Sequence, residues 1–305
     1  MDRKTGSILL LITAMIAWGS LYPVSKYIMT ELNPLTLSFL RYFFGIIALT
    51  PFFIVEIQKK SDQIKAKDYL VFALTGFLGI TIFAIFLFYG IKLSTASNGS
   101  IIANTQPLFT ALLAPLLIHE RINKFQILGL IIGFIGMLLV VTGGNFNNLS
   151  IGSSVLTGNL LLACAAVSMS IYSIFLKSSI RKFGGMIPTF LSMAAGTALL
   201  LLINIFSEGF ISDLKVLARP SDLLLIVYLG CISTAFAYIL FNNSLRYIDV
   251  IKASGFKFLI PVSGVGLSII FLKERPSLFV YGGILLVFIS VFFIQSSSKR
   301  GLVKK

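Results

Sequence analysis

PLFTALLAPLLIHER (107–121) and PVSGVGLSIIFLKER (261–275) carry proline, glutamate and arginine in one register, 154 residues apart. Working outward at the same interval, Asp68 falls on Asp222, Gly76 on Gly230, Ser100 on Ser254, Phe125 on Phe279, Gly129 on Gly283 and Phe134 on Phe288. TGSILL (5–10) pairs with TGNLLL (157–162) at a slightly smaller shift. Two apolar sequences share scattered identities by chance, but Pro, Glu-Arg and Gly are not generic membrane residues, so the chain reads as an internal duplication. Its units are a first five-helix repeat at 1–144, an outer linker at 145–156, a second repeat at 157–298 and a basic tail at 299–305.

The medium around these repeats follows from composition. Residues are 57% hydrophobic and 12% charged, with 28 Phe in 305, against roughly 25% charged in an ordinary soluble domain. Lipid as solvent removes the need for a polar surface. A crossing helix needs about 20 mostly apolar residues. Such runs are expected near 7–28, 35–56, 69–91, 97–118, 125–143, 157–177, 187–207, 222–243, 250–272 and 278–296. The fold class is therefore an all-α integral membrane protein of ten transmembrane helices. Five is odd, so the second copy runs through the membrane inverted, and inverted repeats place a site between the halves.

Basic residues set the orientation. With the N-terminus inside, seventeen of the 25 Lys and Arg fall on inner segments and six on outer ones. Excess Lys and Arg marks the cytoplasmic face, so both termini are expected there, in the plasma membrane. The same topogenic reading accounts for the net charge of +14, and no basic stripe with interleaved aromatics points to nucleic acid. The run beginning at Ser7 lacks a small-residue cleavage pattern and reads as a permanent first helix. Cys164 and Cys231 sit in apolar runs as small hydrophobes, and His119 is the sole histidine. A histidine metal cluster or catalytic triad is thus out of reach, and no cofactor or metal is expected.

Two copies of P-x12-E-R, each followed by a Gly-containing helix, resemble the EamA-type drug/metabolite transporter superfamily. AWGSLYPVSK (17–26) resembles that family's W-G-x6-K opening, and NPLTLSFLRYFFG (33–45) resembles its P-x6-R second helix. The resemblance implies ten helices, cytoplasmic termini and a central cavity formed by helices 1, 3, 4, 6, 8 and 9. It further implies transport of amino acids, other metabolites or drugs, often outward.

None of the eleven acidic residues falls mid-span, which argues against a central carboxylate proton relay. Two basic residues lie deeper. Lys257, on the ninth run, is replaced by Ala103 in the other copy. Either it attracts a carboxylate or phosphate, or it snorkels to the headgroups. Arg41 is expected to tie its helix to neighbouring carbonyls near the outer face, with substrate contact as the alternative. Pro107 and Pro261 remove a backbone donor near the middle of their helices, as packing kinks or as openings that line a cavity. Around them, Trp18, Ser20, Tyr22, Asn98, Asn104, Gln106, Tyr172, Tyr238 and Asn242 are the cavity candidates, each able instead to bond between helices. Glu120 and Glu274 stand at helix junctions, suited to the N–H groups of the span that follows. Gly129, Gly133 and Gly136 form one face of helix 5 and allow close approach, within the chain or between two copies of it.

These readings converge on a secondary transporter of small metabolites. Its partners are a small-molecule substrate and the lipid bilayer, with a homodimer as a further expectation. An antiporter or facilitator of an anionic or phosphorylated metabolite is the alternative. A membrane enzyme would need Asp, His or Cys clustered at one face, and a receptor a sizeable soluble element; both rank below transport.

Overall fold

The structure is a computed structural model describing residues 3–60, 63–94, 96–145, 153–272 and 276–295. Its described residues form helices and no strand. In chain order the long elements are α1 (Thr5–Ile28), α2 (Pro34–Gln58), α3 (Ala66–Leu93), α4 (Ala96–Ala103 and Gln106–Ile118), α5 (Lys124–Thr142), α6 (Val155–Phe183), α7 (Met186–Ile205), α8 (Pro220–Ser244), α9 (250–272) and α10 (Leu278–Gln295). Nine of them contain stretches long and apolar enough to cross a membrane. The expected ninth does not reach that measure among the described residues. It is three pieces, Val250–Gly255, a 3-10 turn at Phe256–Phe258, and the 14-residue Leu259–Leu272.

Local chemistry fixes the starts and stops. Asn33 caps α2 by accepting from the Leu35 N–H at 3.0 Å, with Pro34 at the first helical position, where its missing donor costs nothing. A reciprocal capping box of Asn123 and Gln126 opens α5, and Gly143 closes it in the left-handed region. Pro220 opens α8.

The duplication recurs in the irregularities of the helices. A π-helical stretch interrupts α3 at Phe77–Ile82 and α8 at Cys231–Phe236, in the same repeat register. A widened turn disturbs the helical hydrogen-bond ladder and turns a carbonyl outward. In both copies a side chain from the other half takes such a carbonyl. The Ser168 hydroxyl donates to Leu78 O at 2.6 Å, and the Trp18 indole N–H donates to Ser233 O at 2.9 Å.

Packing is largely between halves, in symmetry-related pairs: α3 on α6 and α8 on α1, α3 on α7 and α8 on α2, α4 on α6 and α9 on α1. On the pseudo-axis, α5 pairs with α10 and α2 with α7. A Cβ on Gly129 would meet Ser290 O and Ile294, whereas one on Gly136 would meet Gly283 O and Leu286. Rising numbers on α5 thus face falling numbers on α10, so corresponding helices of the two halves run antiparallel. The Gly129, Gly133, Gly136 face is filled by α10 and by Phe258. The glycine stripe therefore serves packing within the chain and offers no face to a second copy.

Candidate functional site

Both paired helices break just before their prolines. α4 stops at Ala103 and resumes at Gln106, one residue before Pro107; α9 passes through the 3-10 turn Phe256–Phe258 before Pro261. Proline supplies no N–H and crowds the preceding turn, which explains the shared register. Asn104 lies in the break of α4 and Gln106 just after it, and Lys257 lies inside that of α9.

Between the breaks lies a cavity of about 40 Å³. Its walls are Trp18, Leu21 and Tyr22 of α1, Arg41 of α2, Phe83 and Leu87 of α3, Ala103, Asn104 and Gln106 of α4, Met169 of α6, Tyr238 of α8, and Lys257 and Ile260 of α9. That volume holds about three waters, so the cavity is contracted in this conformation. No carboxylate is among the lining residues.

Lys257 is 5% exposed and points inward. Its Nζ donates a short hydrogen bond to Gln106 Oε1 and lies 4.6 Å from the Trp18 ring centre and 4.8 Å from that of Phe241. The amide oxygen of Gln106 faces the lysine because its Nε2 donates to Met169 O at 3.3 Å and to Ser173 at 3.4 Å. Hydrogen bonds to charged groups contribute about 1.5–3 kcal/mol and desolvated cation–π contacts about 2 kcal/mol each. Burying an ion costs several kcal/mol. These contacts offset part of that cost for Lys257.

Arg41 is 1% exposed, and its Nε and Nη1 have no hydrogen-bond partner. The expected tie to carbonyls from those two atoms is absent. Instead the guanidinium carbon lies 4.5 Å from the Tyr42 ring centre and 5.3 Å from that of Phe88. Ring contacts alone do not offset the loss of hydration plus about 1–3 kcal/mol for each unsatisfied donor. Among the described residues no ion pair joins Arg41 or Lys257 to a carboxylate.

The sequence-derived candidates thus divide. Trp18, Tyr22, Asn104, Gln106, Tyr238 and Lys257 line the cavity. Ser20 instead bonds the Tyr228 hydroxyl at 2.6 Å, holding α1 to α8. Tyr172 accepts from Asn242 Nδ2 at 3.0 Å, and the same amide donates to Thr189 at 2.7 Å, tying α6, α7 and α8 together. Asn98 and Glu274 lie outside the residues whose side chains are described. Arg41, Phe83 and Leu87 are cavity residues that the sequence reading did not place there. The P-x6-R spacing exposes Arg41 as unusual, but not the face of α2 it occupies.

Glu120 departs most from expectation. The start of α5 already has its cap in Asn123 and Gln126, and Glu120 turns to the other half. Its carboxylate accepts from the N–H groups of Val250 and Ile251 at 3.3 and 3.0 Å, the first turn of α9. It also pairs with Lys177 Nζ of α6 at 2.8 Å, and Lys177 reaches Asp249 at 3.3 Å. An anion at a helix N-terminus, bonded to a largely buried ammonium, joins the end of α4 to α6 and α9.

Comparison with known proteins bears on the family and the fold. The model of the EamA-like transporter family matches residues 5–142 and again 156–296. An uncharacterized transporter of Archaeoglobus fulgidus is 26% identical over 290 residues, covering 94% of this chain and 96% of that protein. The uncharacterized transporter YdfC of Bacillus subtilis is 28% identical over 289 residues, covering 94% and 90%. A solved structure, described only as the crystal structure of a protein, superposes with a TM-score of 0.80 at 19% identity. It covers 96% of this chain and 97% of its own; at that identity the likeness speaks to fold alone.

Proposed function

Because the chain belongs to the EamA-like transporter family, a family of membrane transporters, we propose that it is a secondary transporter exporting small metabolites, such as amino acids or related compounds, across the plasma membrane by alternating access. The observation that carries this reading is the cavity at the interface of two antiparallel halves, walled by both copies and flanked by the helix breaks before Pro107 and Pro261. A site between inverted repeats can open to either side as one half rocks against the other.

With the N-terminus cytoplasmic, the Glu120, Lys177 and Asp249 cluster sits at the cytoplasmic end and holds it shut in this conformation. Release toward the cytoplasm requires that cluster to part. Lys257 favours a second reading within transport, an antiporter or facilitator of an anionic or phosphorylated metabolite, because it puts a cation on the cavity wall.

Uptake and counterflow in proteoliposomes, against a panel of amino acids, organic acids and phosphorylated metabolites, test both. Wild type moves at least one panel member, and Lys257→Ala loses about tenfold or more of anion flux. Absence of any flux from folded wild-type protein, under proton and counter-substrate gradients alike, overturns the transport reading. Equal anion flux in Lys257→Ala overturns the second.

A further inference from the structure

The two buried cations of the cavity come from opposite halves, Arg41 from α2 and Lys257 from α9. We infer that they form one divided binding site for an amphipathic organic carboxylate, with Arg41 as a substrate-binding residue. This rests on the reading of the cavity as the transport site and names the ligand it takes.

Three observations point the same way. Arg41 is nine-tenths buried or more, lines the cavity, and leaves Nε and Nη1 without a hydrogen-bond partner. Nε–H and Nη1–H point to different sides of the guanidinium, and each is a charged donor from which a carboxylate oxygen can accept. No lining residue is acidic, so the cavity carries two cations and no internal counter-charge. An anionic ligand supplies that charge; a cationic one would meet repulsion from both sides. The remaining wall fits an apolar body, with Leu21, Phe83, Leu87, Met169 and Ile260 beside the hydroxyls of Tyr22 and Tyr238. A carboxylate is favoured over a phosphate ester because this wall is mostly apolar and offers few further donors for a third anionic oxygen.

The division also gives the ligand a mechanical part. Lys257 is held by Gln106 while the cavity is contracted, so a carboxylate that enters competes with that amide for the ammonium and bridges the two halves through their cations. Either cation alone would bind an anion; only both together couple the binding to the closing of one half on the other.

The chain's single tryptophan, Trp18, lies against Lys257 in this cavity and reports occupancy by its fluorescence. Purified protein in detergent is titrated with aromatic and branched aliphatic monocarboxylates, each matched to its uncharged amide, and with the corresponding phosphate monoesters. The carboxylates quench or shift Trp18 emission saturably; the amides do not. Arg41→Gln and Lys257→Gln each weaken carboxylate binding by about tenfold or more, and Arg41→Lys, which keeps the charge and loses the guanidinium, falls between. Equal binding of acid and amide by wild type overturns the proposal without any variant having to fold. Preferential binding of the phosphate esters, or unchanged affinity in a folded Arg41→Gln, also overturns it. Since binding is read without flux, a protein that binds carboxylates but moves nothing in liposomes fails the transport reading and keeps this one. One that moves only neutral or cationic solutes does the reverse.

Discussion

An amide buried among hydroxyls is a tie whose strength can be separated from substrate binding, and Asn242 is such a tie. Its Nδ2 serves Tyr172 and Thr189 at once, although the residue lines no part of the cavity. Asn242→Leu preserves volume approximately and removes both donors. Thr189 retains its bond to Gly185 O, so the loss falls mainly on Tyr172. We expect a destabilisation of about 1–3 kcal/mol, measured as a lower unfolding temperature in detergent with unchanged carboxylate affinity. A change in affinity with unchanged stability would place Asn242 in the site instead. At this scale the sequence was legible by chemistry more than by direction. Lys257 announced itself by replacing the small Ala103 of the other copy. Arg41 was visible as an intramembrane cation, but a residue two turns into a helix can face lipid, carbonyls or cavity, and only the packing of α2 against its neighbours decides which. Ser20, Tyr172 and Asn242 take the other course open to a polar group in a membrane span: they bond between helices and do not line the cavity.

Among elements, the repeat predicts more than periodicity can. The two broken helices were readable because proline marks them and the 154-residue interval repeats the mark. The π-helical stretches in α3 and α8 were not, since a one-residue expansion needs neither Pro nor Gly and appears only when a carbonyl finds a partner across the interface. The glycines of α5 were legible as a contact face, yet their partner was not. α10 of the same chain occupies it so closely that a Cβ on Gly136 would approach Gly283 O to 2.8 Å. Backbone cannot yield as a side-chain tip can. Gly136→Val is therefore expected to force α5 and α10 apart, with overpacking of about 1–3 kcal/mol or more, and to reduce the folded fraction recovered by size exclusion. Gly282→Ala is its control. Nothing lies within 4 Å of a Cβ there, so recovery stays at the wild-type level. Equal recovery of both variants would mean that the α5–α10 contact is looser than described.

For the whole molecule, the question is what holds one end closed. The duplication made the two inverted halves readable and the basic loops gave them an expected polarity, whereas the cluster joining them was hidden. A glutamate at a helix junction reads as a cap for the helix that follows. That it caps the first turn of α9 instead is a tertiary fact, available only once α4 and α9 lie side by side. The consequence is a testable bias in the conformational equilibrium. Glu120→Ala strips Lys177 of its nearer carboxylate and leaves it 6% exposed, with only the half-exposed Asp249 at 3.3 Å. An uncompensated buried charge costs about 3–5 kcal/mol. Opening the end that the cluster closes lets water reach the ammonium, so the open state escapes most of that cost. Every 1.4 kcal/mol of differential stability changes the ratio of states about tenfold, so even part of the cost moves the population visibly. Ser173 lies one turn from Lys177 toward the cavity, is fully buried, and bonds Gln106. In a background with Cys164 and Cys231 replaced by serine, a Ser173→Cys reporter in oriented vesicles should react slowly with a membrane-impermeant maleimide while Glu120 is present. It should react at least tenfold faster from the cytoplasmic side once Glu120→Ala is added. Faster labelling from the outer side would invert the assignment of the two ends, and no change in rate would mean that Glu120 does not hold the halves together.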